Sequence, residues 1–204
     1  MIKKDDELIR DLLDSLRREN KPRDGIHVSD LIFCLKESFF RRKNPIPPTD
    51  IQLGYFLDGA RRHVLIQNLH GAEAEKQVEN YGIHGTIDIL DGFPIEIKTT
   101  RWLKDDVPPH YLRQLAYYMV LTDKRRGKIL IHNLNAKKDS PVFVSFDVTL
   151  TEKEFEEHKK DLLARKARLE LALMNDSVEN LSTPNEAWKC STCQYKIRCL
   201  SSTG

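Results

Sequence analysis

A mixed α/β domain is the fold class this sequence predicts, and three observations carry the prediction. First, two segments repeat apolar residues at helical spacing. Residues 5–19 place Leu8, Ile9, Leu12, Leu13 and Leu16 on one stripe, and the segment after Thr151 does the same with Phe155, Leu162, Leu163, Leu169 and Leu173. Second, the middle of the chain is rich in short β-branched runs, "GTIDILDGFPIEIKTT", "GKILIHNL" and "PVFVSFDVTL". Third, helical segments precede, interrupt and follow those runs. A central mixed sheet covered by helices buries such a set of elements.

The elements follow in order. Ser29 is a good N-cap for a second helix carrying Leu31, Ile32 and Cys34. "KNPIPPTD" reads as a rigid loop. Thr49 and Gln52 then have the spacing of a capping box, opening a helix that runs to about His70, with Gly71 as its stop. "AEAEKQVEN" at 72–80 reads as an edge strand. Pro108 and Pro109 precede a helix of about 110–122, and Thr151 with Glu154 forms a second capping box before the long helix. The tail is loop-rich and holds three of the four cysteines. One domain over 1–204 is expected, with a core of about 50–150, a helical N-terminal segment 1–49 and a C-terminal helix plus cysteine-rich tail, 151–204.

Composition narrows the function classes. With 204 residues, 40% apolar and 31% charged, the chain is globular rather than disordered. No apolar run has the length needed to span a bilayer, and "MIKKDDELIRDLL" lacks a signal-peptide core, so a cytoplasmic location without membrane contact is expected. A net charge of +2 does not announce a nucleic-acid partner. Local basic clusters at 40–43, 60–63 and 123–128 are solvated faces unless another argument points to DNA or RNA.

The hairpin "GTIDILDGFPIEIKTT" raises a specific problem. Ile87, Ile89, Ile95 and Ile97 are odd, whereas Asp88, Glu96 and Lys98 are even, and side chains alternate faces along a strand. Placing the isoleucines on one buried face requires 88 opposite 96. A two-residue turn would pair 88 with 95, so a three-residue turn, 91–93, with a left-handed Gly92 is expected. Asp88 and Glu96 then face one another, with Lys98 two residues along. Opposed carboxylates repel. A hard divalent cation such as Mg²⁺ or Mn²⁺ resolves the conflict. The alternative is a solvated sheet face with a cross-strand carboxylate–lysine pair.

Other residues cluster around this hairpin in chain order. His63 lies on the preceding helix, four residues after Gly59. Gln114 and Tyr118 sit four apart on one face of the following helix. Cys190, Cys193 and Cys199 form C-x₂-C-x₅-C, and Cys34 is the remaining cysteine. Four thiolates can hold [4Fe–4S], [2Fe–2S] or Zn²⁺, or stay unligated; structural zinc usually draws paired C-x₂-C knuckles and only one is present.

Gly85, Asp88, Glu96 and Lys98 in the pattern G-x-x-D…E-x-K resemble the active site of the PD-(D/E)-x-K nuclease superfamily. With His63, the Q-x-x-x-Y of Gln114 and Tyr118, and the four cysteines, the chain from "HVSDLIFCLKESFF" to Cys199 resembles its CRISPR-associated RecB-like exonuclease family, the fourth-numbered Cas proteins. The resemblance implies a restriction-endonuclease-like fold whose chain ends are joined by a cluster on Cys34, Cys190, Cys193 and Cys199. It implies Mn²⁺ or Mg²⁺ held by His63, Asp88, Glu96 and the Ile97 carbonyl, and catalysis by Asp88, Glu96 and Lys98, with Gln114 and Tyr118 positioning lysine and substrate. Arg101 and Trp102 would contact phosphate and stack on a base. The implied activity is metal-dependent cleavage of DNA, 5′-to-3′ exonuclease action on single-stranded DNA and DNA ends, with endonuclease action as a further activity. The implied setting is CRISPR adaptation beside the integrase. Nucleases of DNA repair or viruses share the motifs, and a non-catalytic DNA-binding module shares the fold.

Overall fold

The computed structural model describes residues 6–19, 23–71, 73–181 and 187–201. Helix α1 (Asp6–Glu19) is followed by strand β1 (Ile26–His27) and the short helices α2 (Val28–Leu31) and α3 (Leu35–Lys43). The long α4 (Asp50–His70) leads into β2 (Glu73–Asn80), β3 (Ile83–Leu90) and β4 (Pro94–Thr100). Helix α5 (Pro109–Leu121), β5 (Arg126–Asn133), β6 (Phe143–Thr149) and α6 (Glu152–Asn175) complete the core. Helices α7 (Ala187–Thr192) and α8 (Lys196–Ser201) carry the tail.

Among the described residues the sheet has six strands in the order β1-β3-β4-β5-β6, with β2 on the free edge of β3. β1 runs parallel to β3, and β4 runs parallel to β5, joined by the α5 crossover that a parallel pair requires. The β2–β3, β3–β4 and β5–β6 pairs are antiparallel. The fold is therefore the expected mixed sheet flanked by helices.

Sequence chemistry explains most boundaries. Thr49 accepts from the Gln52 amide while Gln52 Oε1 accepts from the Thr49 amide at 2.8 Å, and α4 ends at Gly71 with φ +74°. Thr151 and Glu154 open α6 in the same reciprocal way. The second helix differs from expectation. Its N-cap is His27, whose amide donates to Asp30 Oδ2, and Ser29 lies inside the first turn. The helix also stops at Leu31, and a new one starts after Cys34. Arginines hold this break open: Arg113 donates to the Ile32 carbonyl at 2.6 Å, and Arg165 to the carbonyls of Leu31 and Phe33. The expected start of α1 at residue 5 falls outside the described residues. Its apolar stripe is not a core stripe, since Leu8, Ile9 and Leu12 stay exposed while Leu13 and Leu16 are half-buried.

Two apolar cores sandwich the sheet. The larger includes Leu115 to Leu121 of α5, Phe155, Leu162 and Leu169 of α6, and Ile83, Ile87, Ile129 and Ile131. The smaller joins Ile66 of α4 to Ile89, Ile95 and Ile97. The four hairpin isoleucines therefore do not share one core, because Ile87 belongs with α5. Between the two helical layers, Tyr117 of α5 donates to Asp161 of α6 at 2.5 Å, which satisfies a deeply placed phenol.

Candidate active site

The β3–β4 turn has the expected form. Residues 91–93 make the loop, Gly92 has φ +68°, and the Asp91 amide donates to the Phe93 carbonyl at 3.2 Å. Ile89 pairs with Ile95 and Leu90 with Pro94, the register that sets 88 opposite 96. The ladder stops there, however. Beyond Ile95 the strands part, and the gap is bridged by a side chain: Asp88 Oδ2 accepts the Ile97 amide at 2.7 Å. Asp88 and Glu96 are therefore not a closed cross-strand pair. The divergence opens β3 against β4 while β4 stays paired to β5 from Ile95 to Thr100.

Helix α4 supplies the next groups. His63 Nδ1 lies 3.3 Å from Asp88 Oδ1. That contact raises the His63 pKa, with burial opposing it. One turn later the buried Gln67 donates through Nε2 to the Asp88 carbonyl and to Glu75 Oε1, both at 2.9 Å. Glu75 stands at φ +50° in β2 and leaves the ladder opposite Asp88, so Gln67 grips both strands at that irregularity. Gln67 is a positioning residue outside the sequence motifs. Its signal was there in the spacing His63-x-x-x-Gln67, which stacks two polar side chains on one face of α4.

On the other face of β4, Glu96 is buried and Lys98 nearly so. Lys98 Nζ donates to Glu96 Oε1 at 2.6 Å and to Gln114 Oε1 at 2.8 Å, and lies 5.2 Å from the centre of the Tyr111 ring. Gln114 Nε2 in turn donates to the Tyr118 hydroxyl at 3.5 Å. Glu96, Lys98, Gln114 and Tyr118 thus form one continuous relay from β4 to α5, as their spacing suggested. Tyr111, one turn before Gln114 on α5, is a further member that the sequence reading did not single out.

Electrostatics mark this cluster as strained for charge. Burial, with the Asp88 charge adding to it and Lys98 opposing, pushes the Glu96 carboxyl up to about 7. Burial alone would lower the Lys98 pKa, but the Glu96 charge and hydrogen bond raise it overall. Burial also pushes the Tyr118 phenol up. Gly85 makes room for that phenol. A Cβ at position 85 would stand 2.9 Å from Tyr118 Cε1 and 3.2 Å from Val78 Cγ2. Gly59 has open space around it, so its place in the motif is not steric.

The expected sharing of one cation by His63, Asp88 and Glu96 is not met by the side chains as they stand. Among the described residues no three His, Cys, Asp or Glu side chains are grouped so as to hold a metal. Each carboxylate is already engaged, Asp88 by the Ile97 amide and Glu96 by Lys98. The donor set nonetheless suits a hard divalent ion. Glu96 Oε2 is buried with no hydrogen-bond partner, which is costly for a carboxylate oxygen unless a cation offsets it.

None of the four cysteines is in a disulfide, and all are half-buried. Burial raises the Cys34 pKa, opposed by the Glu37 and Lys36 amides, and the Cys199 charge acts on it. Cys193 is likewise raised by burial and feels Cys34 and Cys190. Cys34 and the tail cysteines therefore lie near enough for their charges to interact, but among the described residues the sulfurs do not form a ready ligand set. Just past β4, Arg101 is exposed and Trp102 is 78% exposed. Thr100 Oγ1 accepts the Trp102 amide at 3.1 Å.

Comparisons with known proteins agree with this geometry. The model of the PD-(D/E)XK nuclease superfamily matches residues 8–200. No curated protein matches the chain. Among solved structures, SSO0001 superposes with a TM-score of 0.64 at 19% identity, covering 96% of each chain. The alkaline exonuclease LHK-Exo from Laribacter hongkongensis gives 0.52 at 11% identity, over 79% of this chain and 95% of that one. A phage-related exonuclease from Haemophilus somnus 129PT gives 0.50 at 12%, over 78% and 100%. At these identities the structures share the fold. The match across nearly the whole sequence, on a sheet that splays where Asp88, Glu96 and Lys98 emerge, places this chain in the PD-(D/E)XK nuclease superfamily.

Proposed function

We propose that this protein is a metal-dependent DNA exonuclease acting on single strands and DNA ends in the 5′-to-3′ direction. The observation that carries the reading is the Glu96–Lys98–Gln114–Tyr118 relay beside Asp88 at the point where β3 and β4 part. A scissile phosphate entering the gap meets an ammonium on one side and carboxylates on the other. The exonuclease relatives, one of them solved with dAMP, support DNA as substrate.

Asp88, Glu96, His63 and the Ile97 carbonyl would hold Mg²⁺ or Mn²⁺. Such an ion supplies Lewis acidity toward a phosphoryl oxygen. Asp88 is fixed for this by the Ile97 amide, and its main chain by Gln67. Lys98, aimed by Gln114, stabilises negative charge that develops on the phosphate. Tyr118 anchors the Gln114 amide, which fixes the direction of its oxygen. Arg101 and Trp102 are placed to contact the strand leaving the gap, by ion pairing and stacking.

The sequence resemblance supports a narrower reading, fragment processing in CRISPR adaptation with the integrase as partner. It also supports an iron–sulfur cluster on Cys34, Cys190, Cys193 and Cys199, and the nearness of Cys34 to the tail cysteines supports their joint use. Anaerobic purification tests the cluster. Iron with broad visible absorption supports it, and stoichiometric zinc replaces it. For the activity, single-stranded DNA labelled at one end or the other is incubated with Mn²⁺ and with chelator. Stepwise loss from the 5′ end that stops with chelator is expected. Metal-independent or absent cleavage would leave the non-catalytic DNA-binding module as the better reading.

A further inference from the structure

Away from the carboxylates lies a second feature of nucleic-acid chemistry. A cleft of about 850 Å³ opens between α1, the turn before β1, α3, the proline-rich loop before α4, and the cysteine-bearing tail. Arg17, Arg18, Arg23, Arg41 and Arg42 line it, with the carboxylates of Asp30 and Glu37. Arg17 is paired with Asp14 at 2.7 Å and with Asp50, and Arg41 and Arg42 with Asp30, so Arg18 and Arg23 supply the charge left to attract an anion.

Its arginines are prearranged. Asp30, buried beneath them, accepts from Arg41 at 2.8 Å and from Arg42 at 2.5 Å, fixing both on one side of the cleft. Arg42 Nε is buried and has no partner. Arg23 donates to Ser29 Oγ at 3.1 Å, and Arg18 to Ser15 Oγ at 2.9 Å, so neither is neutralised by a carboxylate there. Guanidiniums already held in place lose less freedom on binding an anion, and their planar forks match phosphate.

The cleft is also larger than one phosphate needs, at the upper end of ordinary ligand-pocket sizes. Part of its wall is apolar, with Ile46 and the half-exposed Phe56 beside the arginines. Arginines next to an open aromatic ring suit a strand whose bases are unpaired. The tail closes another side: Gln194 Nε2 donates to Gln52 Oε1 at 2.8 Å, and the Ile46 amide donates to the Tyr195 hydroxyl at 3.1 Å.

We propose that this arginine-lined cleft is a second binding site, which holds the internal phosphates of a single-stranded nucleic acid away from the cutting position. The choice of occupant rests on the nuclease reading. The site itself rests on the cleft. Because Gln194 and Tyr195 lie between Cys193 and Cys199, whatever the cysteines hold also shapes this wall.

The test is binding without cutting, by fluorescence anisotropy of labelled oligothymidylate in chelator across a salt series. Arg18→Gln with Arg23→Gln is the informative variant, because both side chains are exposed and their removal leaves no buried carboxylate unpaired. Two lost phosphate contacts at about 0.7 each should flatten the log–log salt slope by about 1.4, with affinity falling on the order of tenfold. Phe56→Ala should weaken binding with the slope unchanged. Oligouridylate binding with the same loss in the variant supports the shared backbone chemistry. An unchanged slope and affinity in the double variant would overturn the proposal, as would thymidine monophosphate binding as tightly as the strand. Wild-type protein that binds the strand with the expected salt slope, loses it in the double variant and cuts nothing with Mn²⁺ would instead count against the nuclease reading alone.

Discussion

Gly85→Ala is the most exacting structural perturbation of the site, because a single methyl group meets three walls at once. Its carbon would sit 2.9 Å from Tyr118 Cε1, 3.2 Å from Val78 Cγ2 and 3.3 Å from Leu121 Cδ1. The nearest atom belongs to a rigid, buried ring, so the ring or the strand must shift. Overpacking of this kind costs about 1–3 kcal/mol. Replacing a strand glycine returns roughly 0.5–1 kcal/mol of backbone entropy, which leaves a net loss of about 1 kcal/mol at the middle of both ranges. For a chain of this size that lowers Tm by roughly 2–4 °C. Because Tyr118 receives the Gln114 amide that aims Lys98, nuclease kcat should fall as well. Thermal melts of Gly85→Ala, Tyr118→Leu and the double variant separate the causes. If the clash is with the ring, the double variant is more stable than the sum of the single losses by at least about 0.5 kcal/mol. A neutral or stabilising Gly85→Ala, or strictly additive losses, would refute the packing argument.

Two further outcomes follow from the charges and the helix break. Without divalent ions, stability should fall as pH rises from about 5 to above 7. The folded Glu96 carboxyl, pushed up to about 7, takes up a proton there that the unfolded chain does not. The raised His63 pKa adds to the same slope, since its stabilisation is present below the ordinary histidine value and lost as pH passes its raised one. Glu96→Gln should flatten the slope in melts run with chelator, and a wild-type slope of opposite sign would contradict the assignment. Arg165→Ala should free the Leu31 and Phe33 carbonyls and loosen the loop before Cys34, so Cys34 reacts several-fold faster with a thiol reagent. Unchanged reactivity would show that the arginine does not hold that loop.

Much of the architecture was legible because it is written in local chemistry. Thr49 with Gln52, Thr151 with Glu154 and Gly71 each act within one helical turn, and their elements start and stop where those residues say. The parity of the isoleucines and the glycine at position 92 were enough for the 91–93 turn and its register. What escaped depends on contacts across the fold. The parting of β3 from β4 follows from one carboxylate capturing a backbone amide nine residues away. Once the strands part, Ile87 joins the core under α5 while Ile89 joins the one under α4, which alternation alone does not anticipate. The break before Cys34 needs guanidiniums from α5 and α6. Gln67 was readable as a partner of His63 by spacing, but its grip on Asp88 required the strand to be in place.

The central claim is that Asp88, Glu96 and Lys98, at the parting of two strands, cleave phosphodiesters. Its most direct measurement is Mn²⁺-dependent, single-turnover cleavage of labelled single-stranded DNA by wild type and by the Lys98→Ala variant. The account predicts a loss on the order of a hundredfold or more in the variant, the scale of removing one transition-state charge partner, with strand binding retained. Equal rates in the two proteins would contradict it.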